Sequence, residues 1–181
     1  MTAQEILEIL SVIRVTYPDR IQKTQEDIQA EVKAWLRWFK DEPYEVVITA
    51  LDSFILSDTK GFAPKPGQIK DIIFKMKNPV QIDADEAWNM VSKALRNGIY
   101  GSEEEFAKLP SEVQAGVGSS SQLKEWAMMD SDTVQSVICS NFKRGYRGRV
   151  EAKKEFDKLP VEAKKMIASL TDNINLTNKL D

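Results

Sequence analysis

The chain of 181 residues contains no histidine and a single cysteine, Cys139. Without histidine there is no Ser–His or Cys–His nucleophile pair, no imidazole general base and no histidine-containing metal site. One cysteine forms neither an internal disulfide nor a zinc site of the usual thiolate kind. No Walker-type phosphate loop occurs, and Gly116-Val117-Gly118 follows no strand, as a dinucleotide fingerprint would. These absences predict a protein that is not an enzyme and binds no cofactor.

Long apolar runs are also missing, because charged residues interrupt every hydrophobic stretch within a turn or two. This pattern predicts no membrane-spanning helix and no membrane partner. The first residues show neither a basic stretch nor a small-residue cleavage pattern, so no signal peptide is predicted. A lone cysteine fits a reducing compartment, and we expect a cytoplasmic location.

Carboxylate clusters are the remaining candidates for catalysis. Asp83, Asp85 and Glu86 form one cluster, and residues 103–105 form another. Both stand where a helix is predicted to begin, and the helix dipole attracts negative side chains to that end. We therefore interpret both clusters as helix-start signals rather than as acid–base catalysts.

The first 78 residues predict four amphipathic helices joined by short connections. Capping residues, prolines and a terminal glycine delimit them in the usual order. These signals are, in chain order, Thr2 with Glu5, Thr24 with Asp27, Pro43, Gly61 and Pro66. We expect a compact helical bundle.

Residues 78–82 interrupt the helical pattern, which then resumes. No stretch shows the period-two alternation of a half-buried strand. The predicted features are a helix from Asp83 to Gly98, short helices from Ser102 and Ser111, a loop over 116–121, a long helix from Ser131 to about Lys158, and a last helix after Pro160. The prediction is an all-α fold with two small domains, residues 1–78 and 83–171, and a fraying tail, residues 172–181.

The segment Phe62-Ala63-Pro64-Lys65-Pro66-Gly67-Gln68 joins two predicted helices. Its prolines restrict their own φ and push the preceding residues toward extended geometry, so the connection is stiff. Pro66 suits the first turn of the next helix, where a missing N–H costs nothing. We expect Phe62 to plug the bundle, while Pro64 and Pro66 aim the fourth helix.

Charge separates the two halves of the chain. Residues 83–132 carry ten acidic and four basic residues, whereas residues 143–158 carry seven basic and three acidic ones. Basic side chains interleaved with aromatic rings can follow a phosphate backbone and stack on bases. The candidate DNA- or partner-binding residues are Asn141, Phe142, Lys143, Arg144, Tyr146, Arg147, Arg149, Lys153 and Lys154. Alternatively, Phe142 and Tyr146 belong to the core, and the charges form a solvated helix face with carboxylate partners.

The tryptophans divide into core and surface candidates. Trp35, with Phe39 four residues later, and Trp88 are predicted core anchors, because large rings dominate burial in small helical domains. Trp38 falls off the face shared by Trp35 and Phe39. It is therefore a candidate partner contact.

A set of motifs follows in order along residues 1–78: Tyr17-Pro18, Trp35-Leu36, Tyr44 with Val47, Ala50 and Leu51, and then Phe62, Pro64 and Pro66. This order resembles phage-encoded loaders and inhibitors of the replicative DNA helicase, best known from a Bacillus phage. The segment from Phe62 to Gln68 is also similar to a stretch of the lambda-type helicase loader. More loosely, the second half is similar to the C-terminal region of phage replication proteins, through Ala87-Trp88, Phe106 with Leu109-Pro110, Leu123 with Trp126-Ala127, and Ser140-Asn141-Phe142 with Arg144 and Tyr146.

The resemblance implies a non-enzymatic protein that binds the hexameric DnaB-family helicase, inhibits it and helps to load it onto origin DNA. A phage initiator and single-stranded DNA are further implied partners, and the implied location is the cytoplasm of the bacterial host. In the Bacillus-phage loader a flexible tail engages the helicase, whereas the second half of this chain is predicted to fold. Two alternatives stay open: a DNA-binding replication or transcription regulator without helicase contact, and an assembly factor of a phage particle.

Overall fold

The structure is a computed structural model that describes residues 1–18 and 23–177, with side chains up to residue 171. In these ranges the chain is helical over most of its length and contains no strand. The predicted all-α fold class is confirmed.

Helices follow one another with short connections. Their bounds are α1 Ala3–Thr16, α2 Gln25–Phe39, α3 Tyr44–Ser57, α4 Pro66–Lys77, α5 Ala84–Leu95, α6 Gly98–Lys108, α7 Ser111–Val117, α8 Ser120–Met128, α9 Ser131–Thr133, a π-helical segment Val134–Ile138, α10 Cys139–Asp157 and α11 Val161–Thr177. The start signals at Thr2, Thr24 and Pro66 lie where the sequence predicts them.

The chain forms two compact units. The first consists of Met1–Pro79 together with the residues from Phe156 onward, and the second consists of Val80–Glu155. The first break falls in the predicted linker, but α11 belongs to the first unit. The domains 1–78 and 83–171 therefore stay predictions. The backbone is helical to Thr177, inside the tail expected to fray, and residues 178–181 lie outside the described residues.

In the first unit, α1 to α4 bury one face each in a common core. The buried residues recur at helical spacing, which is why each helix presents a continuous apolar face. They are Ile6, Ile9, Leu10, Ile13, Trp35, Phe39, Val47, Ala50, Leu51, Ile69 and Ile73. Trp35 stacks on Phe39 with ring centroids 5.2 Å apart, which confirms their predicted core role.

A capping box fixes the start of α2. The Asp27 N–H donates to Thr24 Oγ1 over 3.2 Å, and the Thr24 N–H donates to the Asp27 carboxylate over 2.9 Å. Hydrogen bonds from the Thr24 side chain and backbone also hold the pKa of Asp27 below its usual range. The helix thus begins with two of its free N–H groups satisfied.

We expect Thr24→Ala to lower the free energy of unfolding by about 1 kcal/mol, because the alanine removes the side-chain acceptor at the helix start. Urea denaturation of the full chain measures the change. Thr24→Ser is the matched control and should stay close to wild type, since its hydroxyl keeps the cap. Equal losses in both variants would show that the cap does not stabilise α2.

Helix α11 is attached to the first unit by polar contacts. The Val161 N–H donates to the Asp41 carboxylate over 2.9 Å, which satisfies a free donor at the helix start. Lys158, three residues before the start of α11, pairs with Asp71 over 2.7 Å. Glu162, in the first turn of α11, pairs with Lys40. By contrast, Met166, Ile167 and Leu170 are exposed. These three apolar side chains of α11 are thus left largely open.

The second unit has its own core, built from α5 to α10. Its buried residues are Ala84, Ala87, Trp88, Val91, Ala94, Leu109, Val113, Val117, Leu123, Val134, Cys139, Phe142 and Tyr146. Trp88 is among them, which confirms its predicted core position. The Asp83 carboxylate caps α5 by accepting from the N–H groups of Asp85 and Glu86, each over 2.8 Å.

Two connections of the second unit differ from the predictions. Helix α6 begins at Gly98 rather than at Ser102, and Gly101 interrupts it with non-helical backbone angles. The loop predicted over 116–121 is present but shorter, since α7 continues to Val117 and α8 begins at Ser120. Glycines and serines suggested a loop, but close packing explains Gly116, where a Cβ would lie 2.7 Å from the Phe142 ring.

Candidate functional site

The two aromatic residues of the basic segment lie in the core of the second unit. Phe142 is 4% exposed and Tyr146 is 2% exposed. The Tyr146 hydroxyl donates to the Ile82 carbonyl over 3.0 Å, and burial raises the pKa of this hydroxyl. A buried ring has no free face on which a base could stack. The listing of Phe142 and Tyr146 as candidate contact residues is therefore corrected: both are core residues. Their helical spacing agrees with the alternative that both rings belong to the core.

Phe142 lies at the centre of an aromatic cluster. Its ring centroid is 5.5 Å from that of Trp88, 5.8 Å from that of Tyr146 and 6.4 Å from that of Trp126, which meets it edge-on. Such offset and edge-to-face pairs add to the free energy gained by burial. The aromatic side chains of the segment therefore stabilise the second unit.

Most lysines of the same segment are paired with carboxylates. Lys143 Nζ lies 2.6 Å from Asp85, and Arg147 lies 3.8 Å from the other Asp85 oxygen. A hydrogen bond from Lys143 lowers the pKa of Asp85, and the same bond raises the pKa of Lys143. Lys153 pairs with Glu112 over 2.6 Å, and Lys154 with Glu151 over 3.5 Å. The positive charge available to a phosphate backbone is correspondingly reduced.

Asn141, Arg144 and Arg149 are predicted contact residues for which the structure shows no ion pair with a carboxylate among the described residues. All three are exposed, and the Arg144 guanidinium donates to the Asn141 side-chain oxygen over 2.8 Å. These residues present polar groups at the surface without the aromatic rings that a basic and aromatic track requires. Their role in binding DNA or a partner stays a prediction.

The connection between α3 and α4 differs most from its expected role. Phe62 was expected to plug the bundle, but it is 73% exposed, so this prediction is wrong. Pro64, rather than Phe62, is the buried residue of this connection. Pro66 occupies the first position of α4, as predicted. The prolines anchor the connection and leave Phe62 on the surface.

Trp38 lies on the surface of α2, with 39% of its area exposed. This agrees with its position away from the face shared by Trp35 and Phe39. Its contact with a partner stays a prediction.

The first unit contains a buried ionic cluster that no sequence pattern predicted. Lys70 is 7% exposed, and its Nζ lies 2.9 Å from Glu42, whose other oxygen lies 2.6 Å from Lys77. Burial alone would raise the pKa of Glu42, but hydrogen bonds from Lys77 and Lys70 outweigh it and lower the pKa. No local motif links these positions, because the contact joins residues 28 apart.

Residues 1–18 and 23–177 contain neither a candidate metal-binding cluster nor a candidate membrane-spanning helix. No group of three or more histidine, cysteine, aspartate or glutamate side chains in these ranges is placed to hold a metal ion. No helix among the same residues has the length and apolar composition to cross a bilayer.

These features describe a helical protein in which the candidate contact residues Trp38, Arg144 and Arg149 lie exposed on the surface. Residues 1–70 match the family model for the N-terminal domain of a phage helicase loader and inhibitor. The match extends from α1 into α4 and includes Trp35, Phe62, Pro64 and Pro66. The family is one of non-catalytic regulators. No curated protein and no solved structure matches the chain.

Proposed function

We propose that this protein is a non-enzymatic accessory factor of phage DNA replication. It binds a hexameric replicative helicase of the DnaB family, inhibits it and helps to load it onto origin DNA. The observation that carries the proposal is the match of residues 1–70 to the N-terminal domain of a helicase loader and inhibitor. A phage initiator and single-stranded DNA are further partners under this proposal.

Exposed apolar side chains on the first unit support a protein partner. Phe62 and Trp38 lie open on the part of the chain that the family model covers. Met166 and Leu170 add an exposed apolar surface on α11. Large apolar side chains of this kind are typical anchors of protein–protein interfaces.

The alternative of a DNA-binding regulator has less support. Its aromatic candidates, Phe142 and Tyr146, are core residues, and Lys143 and Arg147 are paired with Asp85. Binding to phosphates would have to compete with this ion pairing. We therefore favour the helicase partner.

The test is complex formation between the full chain and the purified hexameric replicative helicase of the host, in size-exclusion chromatography with and without ATP. We expect co-elution, and lower ATPase and unwinding activity of the helicase in the complex. Failure to form a complex under either condition would contradict the proposal.

A triple variant, Lys143→Gln, Arg144→Gln and Arg147→Gln, separates the two functions in the same assay. A helicase-binding protein should keep most of its affinity for the hexamer. A DNA-binding regulator would instead lose affinity for DNA, and its wild-type binding would weaken steeply with salt.

A further inference from the structure

The loop between α3 and α4 presents Phe62 at the edge of a surface cavity. The cavity has a volume of about 560 Å³. Its lining includes Asp58, Lys60, Phe62, Ala63, Lys65 and Gln68. We call this set the Phe62 surface. It combines an exposed ring with a recess that can accept a side chain from a partner.

The loop is held in place by hydrogen bonds around Asp58. This carboxylate accepts from the Lys60 N–H over 3.0 Å and from the Gly61 N–H over 2.9 Å. The Lys60 backbone N–H and the nearby Tyr17 hydroxyl hold the pKa of Asp58 below its usual range. Gly61 has a φ of +72°, a conformation that favours glycine. The loop is therefore preorganised, and binding through it sacrifices little conformational entropy.

Pro64 and Lys65 fix the other end of the loop. Pro64 is buried, and the Lys65 N–H donates to the Gln68 side-chain oxygen over 2.8 Å at the start of α4. Phe62 thus stands between two anchored points while 73% of its surface is open. An exposed aromatic ring on a stiff support has the properties of an interface hot spot.

Positive charge outnumbers negative charge on the Phe62 surface, with two lysines and one carboxylate in the lining. Lys60 and Lys65 are exposed, and neither forms an ion pair within the part of the chain that the structure describes. Asp58 contributes the one carboxylate of the lining, and the loop's own donors occupy it. The surface therefore favours a negatively charged partner segment.

We infer that the Phe62 surface docks a segment of the replicative helicase that carries an apolar side chain flanked by carboxylates. Phe62 and the recess take the apolar side chain, and Lys60 and Lys65 pair with the carboxylates. This inference rests on the proposed function and names the surface that performs it. It assigns to the stiff connection a direct contact with the partner rather than a purely architectural part.

The test measures the affinity of full-chain variants for the purified hexameric helicase. We expect Phe62→Ala to weaken binding about thirtyfold, the loss typical of a hot-spot aromatic. Tyr100→Ala is the matched control: it removes another exposed ring, one on α6 and 95% exposed. It should bind like wild type. Circular dichroism should show the same helix content for both variants, since neither ring is buried.

A double variant, Lys60→Glu with Lys65→Glu, tests the charge of the partner segment. We expect it to weaken binding at least tenfold at low salt, with a smaller difference at high salt, because screening reduces the repulsion. A double variant that binds as well as wild type at low salt would overturn the acidic partner segment.

The outcomes separate the inference from the function on which it rests. If wild type binds the helicase and Phe62→Ala binds equally well, the inference is overturned and the proposed function stands. If wild type does not bind, both fail. If the wild-type protein is dimeric in solution and Phe62→Ala makes it monomeric without loss of helicase binding, the surface belongs to a second copy, which also overturns the inference.

Discussion

Phe142→Ala is expected to lower the free energy of unfolding of the second unit by about 3–5 kcal/mol, the usual loss for a buried phenylalanine. The ring contacts Trp88, Trp126 and Tyr146, and it leaves no room for a Cβ at Gly116. Alanine would leave a cavity among these groups. Urea denaturation of the full chain measures the loss, and amide hydrogen exchange of α5 to α8 assigns it to the second unit.

Arg144→Ala is the matched control on the same helix. Arg144 is exposed, and its guanidinium contacts Asn141. We expect its replacement to change the free energy of unfolding by less than about 0.5 kcal/mol. If Phe142→Ala were as stable as Arg144→Ala, the ring would not belong to the core. Phe142 would then again be a candidate for contact with DNA or a partner.

Glu42→Gln is expected to lower the free energy of unfolding of the first unit by about 3–5 kcal/mol, because it leaves Lys70 buried without a counter-charge. The Lys70 side chain is 8% exposed, and its Nζ lies 2.9 Å from Glu42 and 5.1 Å from the centre of the Phe39 ring. Urea denaturation measures this change, with hydrogen exchange of α1 to α4 as the local readout.

Two further variants test the cause of this loss. Adding Lys70→Met to Glu42→Gln should restore most of the stability, since it removes the unpaired charge and leaves an apolar side chain. Glu162→Gln breaks an exposed pair with Lys40 and should change stability little. No recovery in the double variant would show that the loss does not come from the charge of Lys70.

The contribution of Glu42 to stability should depend on pH. Its pKa is lower in the folded protein than the ordinary glutamate value of 4.5. The unfolded chain therefore binds this proton first as the pH falls, so the contribution is complete above 4.5 and is lost as the pH drops through the folded pKa. The stability difference between wild type and Glu42→Gln should shrink over that acid range. A constant difference there would contradict the ion pairing.

Several features of this protein could be read from local sequence. Helix starts at Thr24 and Pro66 depend on capping and on the fixed φ of proline, and both are properties of a few neighbouring residues. The all-α class and the core positions of Trp35 and Trp88 follow from apolar periodicity, which defines a buried face. The order of motifs in residues 1–78 was enough to indicate the family whose N-terminal domain the chain matches.

Local sequence did not decide which of these residues are exposed. Phe142 and Tyr146 alternate with basic residues in the sequence. This pattern is compatible with a binding surface and equally with a helix whose aromatic face is buried in the core. Burial was decided by the packing of α5, α7 and α8 around α10. Phe62 shows the reverse case, because Pro64 rather than the larger ring enters the interior. Which side of a loop faces inward depends on distant elements that no short motif contains.

The amino-acid sequence by itself determined the all-α class, the helix starts at Thr2, Thr24 and Pro66 and the likeness to a helicase loader, because caps, prolines and apolar spacing act over one or two turns. Only the tertiary structure decided which charges are paired and which rings are open. It joined Glu42 to Lys70 and Asp85 to Lys143, placed α11 with the first unit, and left Phe62 exposed. Each of these results depends on residues far apart in the chain, whose meeting is set by how whole helices pack.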